Sequence, residues 1–223
     1  MIPSRQAVVA EAVGTAMLVA AVVGSGIMGE RLAGGDVAVA LLANTIATGA
    51  ALVAILLALG PVSGAHLNPV VTLYLGGVRG RLGLAAAYVG AQLVGAALGA
   101  VAANAMFELP AVELSHHVRR GAAQWLGEGI ATFGLVGVII GTGRRRPGAV
   151  PAAVAAYIVA AYWFTSSTSF ANPAVTCGRI LSDSFAGIRP ADAPGFILAQ
   201  LVGGGLGAAL FGWLVPVDEP ASG

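Results

Sequence analysis

The sequence predicts an all-α membrane protein of six spanning helices and two short re-entrant half-helices, arranged as an inverted repeat. Three observations carry this. Charge is scarce and confined almost wholly to connections, apolar windows of spanning length recur six times, and the chain matches itself at three places in the same order. Of 223 residues, 57% are hydrophobic and 9% are Asp, Glu, Lys or Arg, against roughly 25% charged residues in an average soluble domain. The 33 Gly and 46 Ala residues favour closely packed helices over a bulky core. A formal charge of +1 gives no electrostatic footprint for nucleic acid. The single Cys excludes a disulfide scaffold.

Windows of about 20 apolar residues fall at 7–28, 37–60, 83–106, 122–142, 149–164 and 195–216. The fifth is short and is expected to extend through the Ser/Thr run at 165–169. The first resembles a secretory leader, but it is too long and contains Glu11, so it reads as a retained span. Of 21 charged residues, 19 lie outside these windows, the exceptions being Glu11 and Glu128. The reading is one integral membrane domain over 1–223, with repeats at about 7–106 and 122–216. A cytoplasmic N-terminus puts Arg5, Arg79, Arg81 and Arg144 to Arg146 inside, and Arg31, Arg119, Arg120, Arg179 and Arg189 outside. The Arg144-Arg145-Arg146 run favours that multi-pass topology, both termini cytoplasmic, in an inner membrane.

Glu11-Ala-Val-Gly-Thr-Ala-Met-Leu-Val aligns with Glu128-Gly-Ile-Ala-Thr-Phe-Gly-Leu-Val at an offset of 117. Asn68-Pro-Val-Val-Thr aligns with Asn172-Pro-Ala-Val-Thr at 104, and Ala91-Gln-Leu-Val-Gly-Ala-Ala-Leu-Gly-Ala with Ala199-Gln-Leu-Val-Gly-Gly-Gly-Leu-Gly-Ala at 108. Three spans per half is an odd number, so the second half enters from the opposite side. That inversion puts a substrate path between the halves near the midplane.

After the second span, Pro69 opens a helix too short to cross, with Gly76-Gly77 as its stop. After the fifth, Pro173 does the same. Irregular backbone at membrane depth survives only where it is buried in protein or lines a wet cavity. Two such helices meeting end to end bring together two positive helix ends and the Asn68 and Asn172 amides. Such a site donates hydrogen bonds, repels cations, breaks a proton wire and passes neutral hydroxyl-bearing solutes. Glu11 and Glu128 read either as a proton relay or as acceptors bracing the re-entrant backbone, with Gln92 and Gln200 as companion braces. The Gly95/Gly99 and Gly203/Gly207 pairs are expected to allow close helix packing inside the monomer.

Ser63-Gly-Ala-His-Leu-Asn-Pro and Phe170-Ala-Asn-Pro-Ala-Val-Thr resemble the two signature boxes of the aquaporin, or major intrinsic protein, family. The likeness extends over both boxes, the two span-initial Glu residues and the two Ala-Gln spans. It implies a passive channel, not an enzyme, assembled as a homotetramer with one pore per subunit and no cofactor or metal. Its pore boxes would be Asn68, Pro69, Val70 and Asn172, Pro173, Ala174. The carbonyls of Gly64, Ala65, His66, Thr168, Ser169 and Phe170 would ladder one wall. Val70 stands where the family usually has Ala, and would either narrow the lumen or repack the half-helix. Val175 stands where an Arg usually forms the cationic part of an outer filter. Carried over by distance from the two Asn residues, that filter becomes Thr48, Ala160, Ser169 and Val175: wide, neutral and free of aromatic groups. It resembles a bacterial subgroup linked to arsenic handling.

The expected solutes are therefore glycerol, urea, metalloid hydroxides such as arsenous acid, and water. The alternatives are a water-selective channel and, further off, an ion-coupled transporter or an intramembrane protease using Ser63 and His66. Arg179, one turn beyond Val175, either supplies a displaced vestibule charge or pairs with Asp183. Cys177 either faces the lumen or is packed away. Glu113, His116 and His117 read as a solvated loop rather than a metal site.

Overall fold

A computed structural model describes residues 5–75 and 82–216. The Gly76-Gly77 stop and Arg79 and Arg81 lie outside the described residues. The elements are α1 (Arg5–Leu32), α2 (Val37–Ser63), α3 (Pro69–Tyr74), α4 (Leu82–Met106), α5 (Ala122–Arg145), α6 (Val150–Phe164, led by a 3₁₀ turn at Pro147–Ala149), α7 (Pro173–Arg179) and α8 (Ala193–Leu214). Six of these are long and apolar enough to cross a membrane, and no strand occurs among the described residues. The two short helices follow α2 and α6, so each half holds three long helices and one half-helix.

The fifth span does not extend through the Ser/Thr run. α6 ends at Phe164, the Thr165 N–H closes its last turn on the Ala161 carbonyl, and irregular backbone begins there. The hydroxyls explain the stop. Ser167 Oγ accepts the Ser169 N–H at 3.3 Å, and such local bonds compete with a helical ladder. The end of α2 is set by Gly64 at φ 87°, which caps it in the left-handed conformation. Both half-helices begin alike. Asn68 Oδ1 accepts the Val70 N–H at 2.9 Å, and Asn172 Oδ1 accepts those of Ala174 and Val175 at 3.0 and 3.3 Å. A proline follows each cap, where the helix needs no donor.

Glycine sets how closely the long helices approach. A Cβ on Gly95 or Gly99 would overlap the carbonyls of Ala12 and Ala16 on α1. One on Gly203 or Gly207 would overlap those of Gly129 and Phe133 on α5. α4 is thereby locked against α1, and α8 against α5, as the paired Gly-x-x-x-Gly motifs lead one to expect. α1, α2, α5, α6 and the two re-entrant segments surround the centre.

At the face opposite the N-terminus, the loop 107–121 docks on the segment after α7. The Glu113 and Ser115 N–H groups donate to the Leu181 and Ile180 carbonyls, and the Arg189 N–H donates to His117. The loop expected to be merely solvated is a cover on this mouth. His116 does expose its ring, yet it holds Asp183 through both its backbone N–H (2.9 Å) and Nδ1 (3.1 Å). That pairing removes the partner expected for Arg179.

Candidate functional site

A cavity of about 130 Å³ runs through the centre. One wall is aliphatic: Leu18 and Val22 of α1, Leu52 and Leu56 of α2, Leu135 and Ile139 of α5, and Val150, Val154 and Ile158 of α6. The other is polar backbone: Gly64 to Asn68 from one re-entrant segment and Ser169 to Asn172 from the other, with Val71 and Val175 beside them. Val150 and Tyr162 both line it and lie twelve residues apart on one helical line, so the lining runs about 18 Å. The shape is a lumen, with Asn68 and Asn172 at its middle.

The re-entrant backbone is built to be irregular. Gly64, Ala65 and Leu67 have φ of 87°, 45° and 51°, and the equivalent Thr168, Ser169 and Ala171 have 60°, 48° and 48°. Five of these six carry a Cβ, so the left-handed turn costs about 1–2 kcal/mol at each. The compensation is acidic. Glu11 accepts the N–H groups of His66 (2.9 Å) and Leu67 (2.7 Å), the Ser63 hydroxyl (2.7 Å) and the Gln92 amide (2.8 Å). Glu128 accepts the N–H groups of Phe170 and Ala171 (both 2.8 Å) and the Gln200 amide (2.6 Å). Each Gln amide nitrogen also reaches a half-helix hydroxyl, Thr72 or Thr176, at 2.9 Å. Both carboxylates are fully buried; they hold the lumen wall from behind and do not line the cavity themselves. Their acceptor capacity is spent on backbone, which leaves no proton relay along the cavity. The Ser63 hydroxyl is likewise held by Glu11, while His66 Nδ1 lies 3.2 Å from Thr72 Oγ1, so no Ser–His nucleophile forms.

At the centre the halves interlock. The Asn68 amide donates to the Ala171 carbonyl at 2.8 Å, and the Asn172 amide donates to the Leu67 carbonyl at 2.7 Å. Each amide NH₂ has two hydrogens. One ties the opposing segment in place, and the other remains for whatever occupies the lumen beside Asn68 and Asn172, which line it.

Of the residues carried over as a filter, Thr48, Ser169 and Val175 line the cavity. Ala160 does not: it is exposed on the outside of α6. The lumen-facing line of that helix is Val150, Val154, Ile158 and Tyr162, which an i, i+4 spacing brings to one face. Counting from the distant Asn residues missed this phase. The lumen is accordingly not free of aromatic groups, because Tyr162 and Phe170 both line it. The Tyr162 hydroxyl lies 3.4 Å from Thr48 Oγ1. Thr168 is off the wall, its hydroxyl facing the Arg119 guanidinium at 3.4 Å. Val70 is fully buried away from the cavity, against Val136 and Ile140, with a methyl group resting on Gly204. Its extra methyls repack the half-helix and leave the lumen untouched. Cys177 is half-buried on α7 and does not line the cavity either.

A model of the family described as "Major intrinsic protein" matches residues 1–168. Aquaglyceroporin AqpS of Rhizobium meliloti (strain 1021) is 54% identical over 214 residues, covering 95% of this chain and 91% of that protein. The chain belongs to the major intrinsic protein family. Aquaporin Z of Bradyrhizobium diazoefficiens is 30% identical, with 95% and 93% covered. Among solved structures, the aquaglyceroporin from Plasmodium falciparum superposes with a TM-score of 0.67 at 22% identity, covering 92% of this chain and 93% of that one. This last likeness concerns the fold, and it agrees with the six long and two short helices of this major intrinsic protein.

One feature of the site had no signal in the sequence. Arg119, counted there only as a loop charge, is 6% exposed and folds into the mouth. Its guanidinium donates to the carbonyls of Gly187 (2.8 Å) and Phe185 (3.1 Å) and stands 5.1 Å from the Phe170 ring centre. Burial lowers its pKa to about 10, against the opposing pull of Glu128 and Tyr162, so it remains charged at neutral pH. Arg179, 2% exposed, lies over the same ring at 3.3 Å, with its Nε on the Ala186 carbonyl.

Proposed function

We propose that the chain is a passive, non-enzymatic channel for small uncharged solutes larger than water. Glycerol, urea and undissociated metalloid hydroxides such as arsenous acid are the candidates, with water accompanying them. The observation that carries this reading is Val175 on the lumen wall. An apolar side chain stands where a guanidinium would otherwise cross the lumen, leaving room and an aliphatic surface for a carbon-bearing solute. The printed name of the relative at 54% identity, an aquaglyceroporin, supports the same class.

The mechanism follows from the two walls. A solute sheds water against Leu, Ile and Val on one side and regains hydrogen bonds from carbonyls and hydroxyls on the other. At the centre the Asn68 and Asn172 amides and the two half-helix N-termini present donors only. Water or a hydroxyl compound there must turn its oxygen toward them, which interrupts a proton wire, and the positive helix ends disfavour cations. Thr48, Ser169 and Val175, joined by Tyr162 and Phe170, act as the filter, and Glu11, Glu128, Gln92 and Gln200 as its braces. The remaining proposals are a homotetramer in the inner membrane and cytoplasmic termini.

Stopped-flow measurements on proteoliposomes, comparing water, glycerol, urea and arsenous acid, test the proposal. Flux of the three solutes that is linear in concentration and indifferent to pH and sodium is expected. Vesicles that swell with water and pass none of the three would make the protein water-selective. Saturable, proton-driven uptake would make it a transporter.

A further inference from the structure

The two halves repeat one another closely around the lumen, and one mouth breaks the pattern. Position 170 is the equivalent of His66, and Arg179 is the equivalent of Leu75. Phe170, Arg179 and the loop residue Arg119 therefore gather where the described residues of the other mouth have His66 and Leu75. Arg179 Nη1 and Ser169 Oγ are both buried, both without a hydrogen-bond partner among the described residues, and both belong to residues lining the cavity. Two orphaned polar groups beside one lumen mark a place where something else supplies the partner.

We infer that Arg179 and Ser169 form the solute-reading edge of this channel, with Phe170 as the platform that seats Arg179 and Arg119 as a positioning residue behind it. The inference rests on the channel reading above. The cationic edge absent at position 175 is moved one helical turn along α7 to Arg179. There the guanidinium carbon lies over the Phe170 ring, 3.3 Å from its centre, with Nε fixed by the Ala186 carbonyl and Nη1 left over. Arg119 faces the same ring and ties it to the loop through the Gly187 and Phe185 carbonyls. The side-chain partners found for both arginines are carbonyls, a hydroxyl and the ring, with no carboxylate among them; the buried acids nearby are Glu128 and Asp192, the latter accepting the Arg119 backbone N–H. A permeating molecule must then offer acceptor oxygens to Nη1 and Ser169 and carry no positive charge. Small oxygen-rich neutral solutes fit this chemistry, and cations of the same size do not.

Urea and guanidinium are both small, planar and three-armed, and they differ by a charge, so they separate the possibilities. Full-length protein in proteoliposomes is expected to pass urea and reject guanidinium. Arg179→Gln should lower urea permeability by about tenfold, the weight of one hydrogen bond to a charged group, and should raise the guanidinium leak, although the helix ends at the centre still oppose it. Arg179→Lys, which keeps the charge but lacks the forked N–H donors, should still reject guanidinium while losing part of the urea flux. Ser169→Ala should reduce urea flux without admitting guanidinium. Arg119→Gln should have a smaller effect and add nothing to Arg179→Gln, because it acts through the same ring. An Arg179→Gln protein that conducts urea as before overturns the assignment. Should that variant not reconstitute, unchanged urea flux in both Ser169→Ala and Arg119→Gln overturns it equally. Wild-type vesicles that pass no solute at all refute the channel reading itself.

Discussion

In the first half, Glu11 holds two successive N–H groups of the re-entrant backbone, Gln92 bridges Glu11 to Thr72, and the His66 ring meets Tyr88 edge-on at 5.2 Å. In the second half, Glu128 holds two successive N–H groups, Gln200 bridges Glu128 to Thr176, and the Phe170 ring meets Phe196 edge-on at 5.1 Å. Val71 and Val175 are equivalent too, and both line the lumen. The halves agree near the midplane and diverge at the mouths, where His66 faces one and Phe170, with two arginines on it, faces the other. The agreement is what a donor site at the centre requires, since two opposed half-helices must present alike. The divergence shows where one direction along the lumen is distinguished from the other.

The shared braces carry the largest expected effect. Glu→Gln at either position exchanges one accepting oxygen for an NH₂ group that faces a backbone donor. A hydrogen bond to a charged group is lost and a buried donor is left unpaired, which together cost about 3 kcal/mol. Glu11→Gln and Glu128→Gln should therefore lower the thermal stability of detergent-solubilised protein by similar amounts. The two losses should match closely, because Ser63 and its equivalent Ser167 each hydrogen-bond the carboxylate of their own half. A large loss from one and none from the other would break the equivalence of the halves.

A smaller effect tests how the halves differ inside the repeat. Val70 rests on Gly204 in one half, whereas the equivalent positions in the other are Ala174 and Ala96, both fully buried in one cluster. Bulk added to the half-helix has been taken from the long helix opposite. Gly204→Ala alone should destabilise by about 1–3 kcal/mol through overpacking, because Val70 has no exposed surface to move into. Adding Val70→Ala recreates the Ala/Ala arrangement and should recover most of the loss in a thermal melt. Additive losses in the double variant would mean the two positions are not coupled.

Much of this was legible in the sequence, for reasons these residues make plain. The spans follow from hydropathy. The half-helices follow from Asn-Pro at lumen depth, and the carboxylate braces from their symmetric placement in otherwise uncharged windows. What escaped depended on rotation about a helix axis or on contacts across long separations. Ala160 was assigned by counting from distant positions, and an error of two residues turns a side chain about 200° around a helix. The packing of Arg119 against Phe170 joins a loop to a segment about fifty residues away, and no local pattern announces it. Val70 alone left two outcomes open, and only Gly204 on α8 decides between them.

The smallest expected effect lies at the docked loop, which belongs to one mouth alone. Asp183 accepts the His116 backbone N–H, and this bond, helped by the His116 ring and the Ser115 hydroxyl, holds its carboxyl below the usual aspartate pKa despite a partial burial that opposes it. A carboxylate more acidic when folded contributes stability above its unfolded pKa of about 3.9. It loses that contribution as pH falls through the lower, folded value. The pair is largely exposed, with side-chain accessibilities of 84% for His116 and 35% for Asp183, so solvent screening keeps its worth under about 1 kcal/mol. Hydrogen exchange of residues 107–121, corrected for intrinsic rates, should show a loss of protection below about pH 4, separate from the loss nearer neutrality caused by His117, whose pKa is lowered by burial and by the neighbouring Arg119 and Arg179. Asp183→Asn, with no carboxylate to titrate, should show slightly weaker protection at pH 7 and no such weakening in acid. An unchanged acid response in that variant would assign the loop's pH sensitivity to another group and leave the Asp183–His116 contact without a role in closing this mouth.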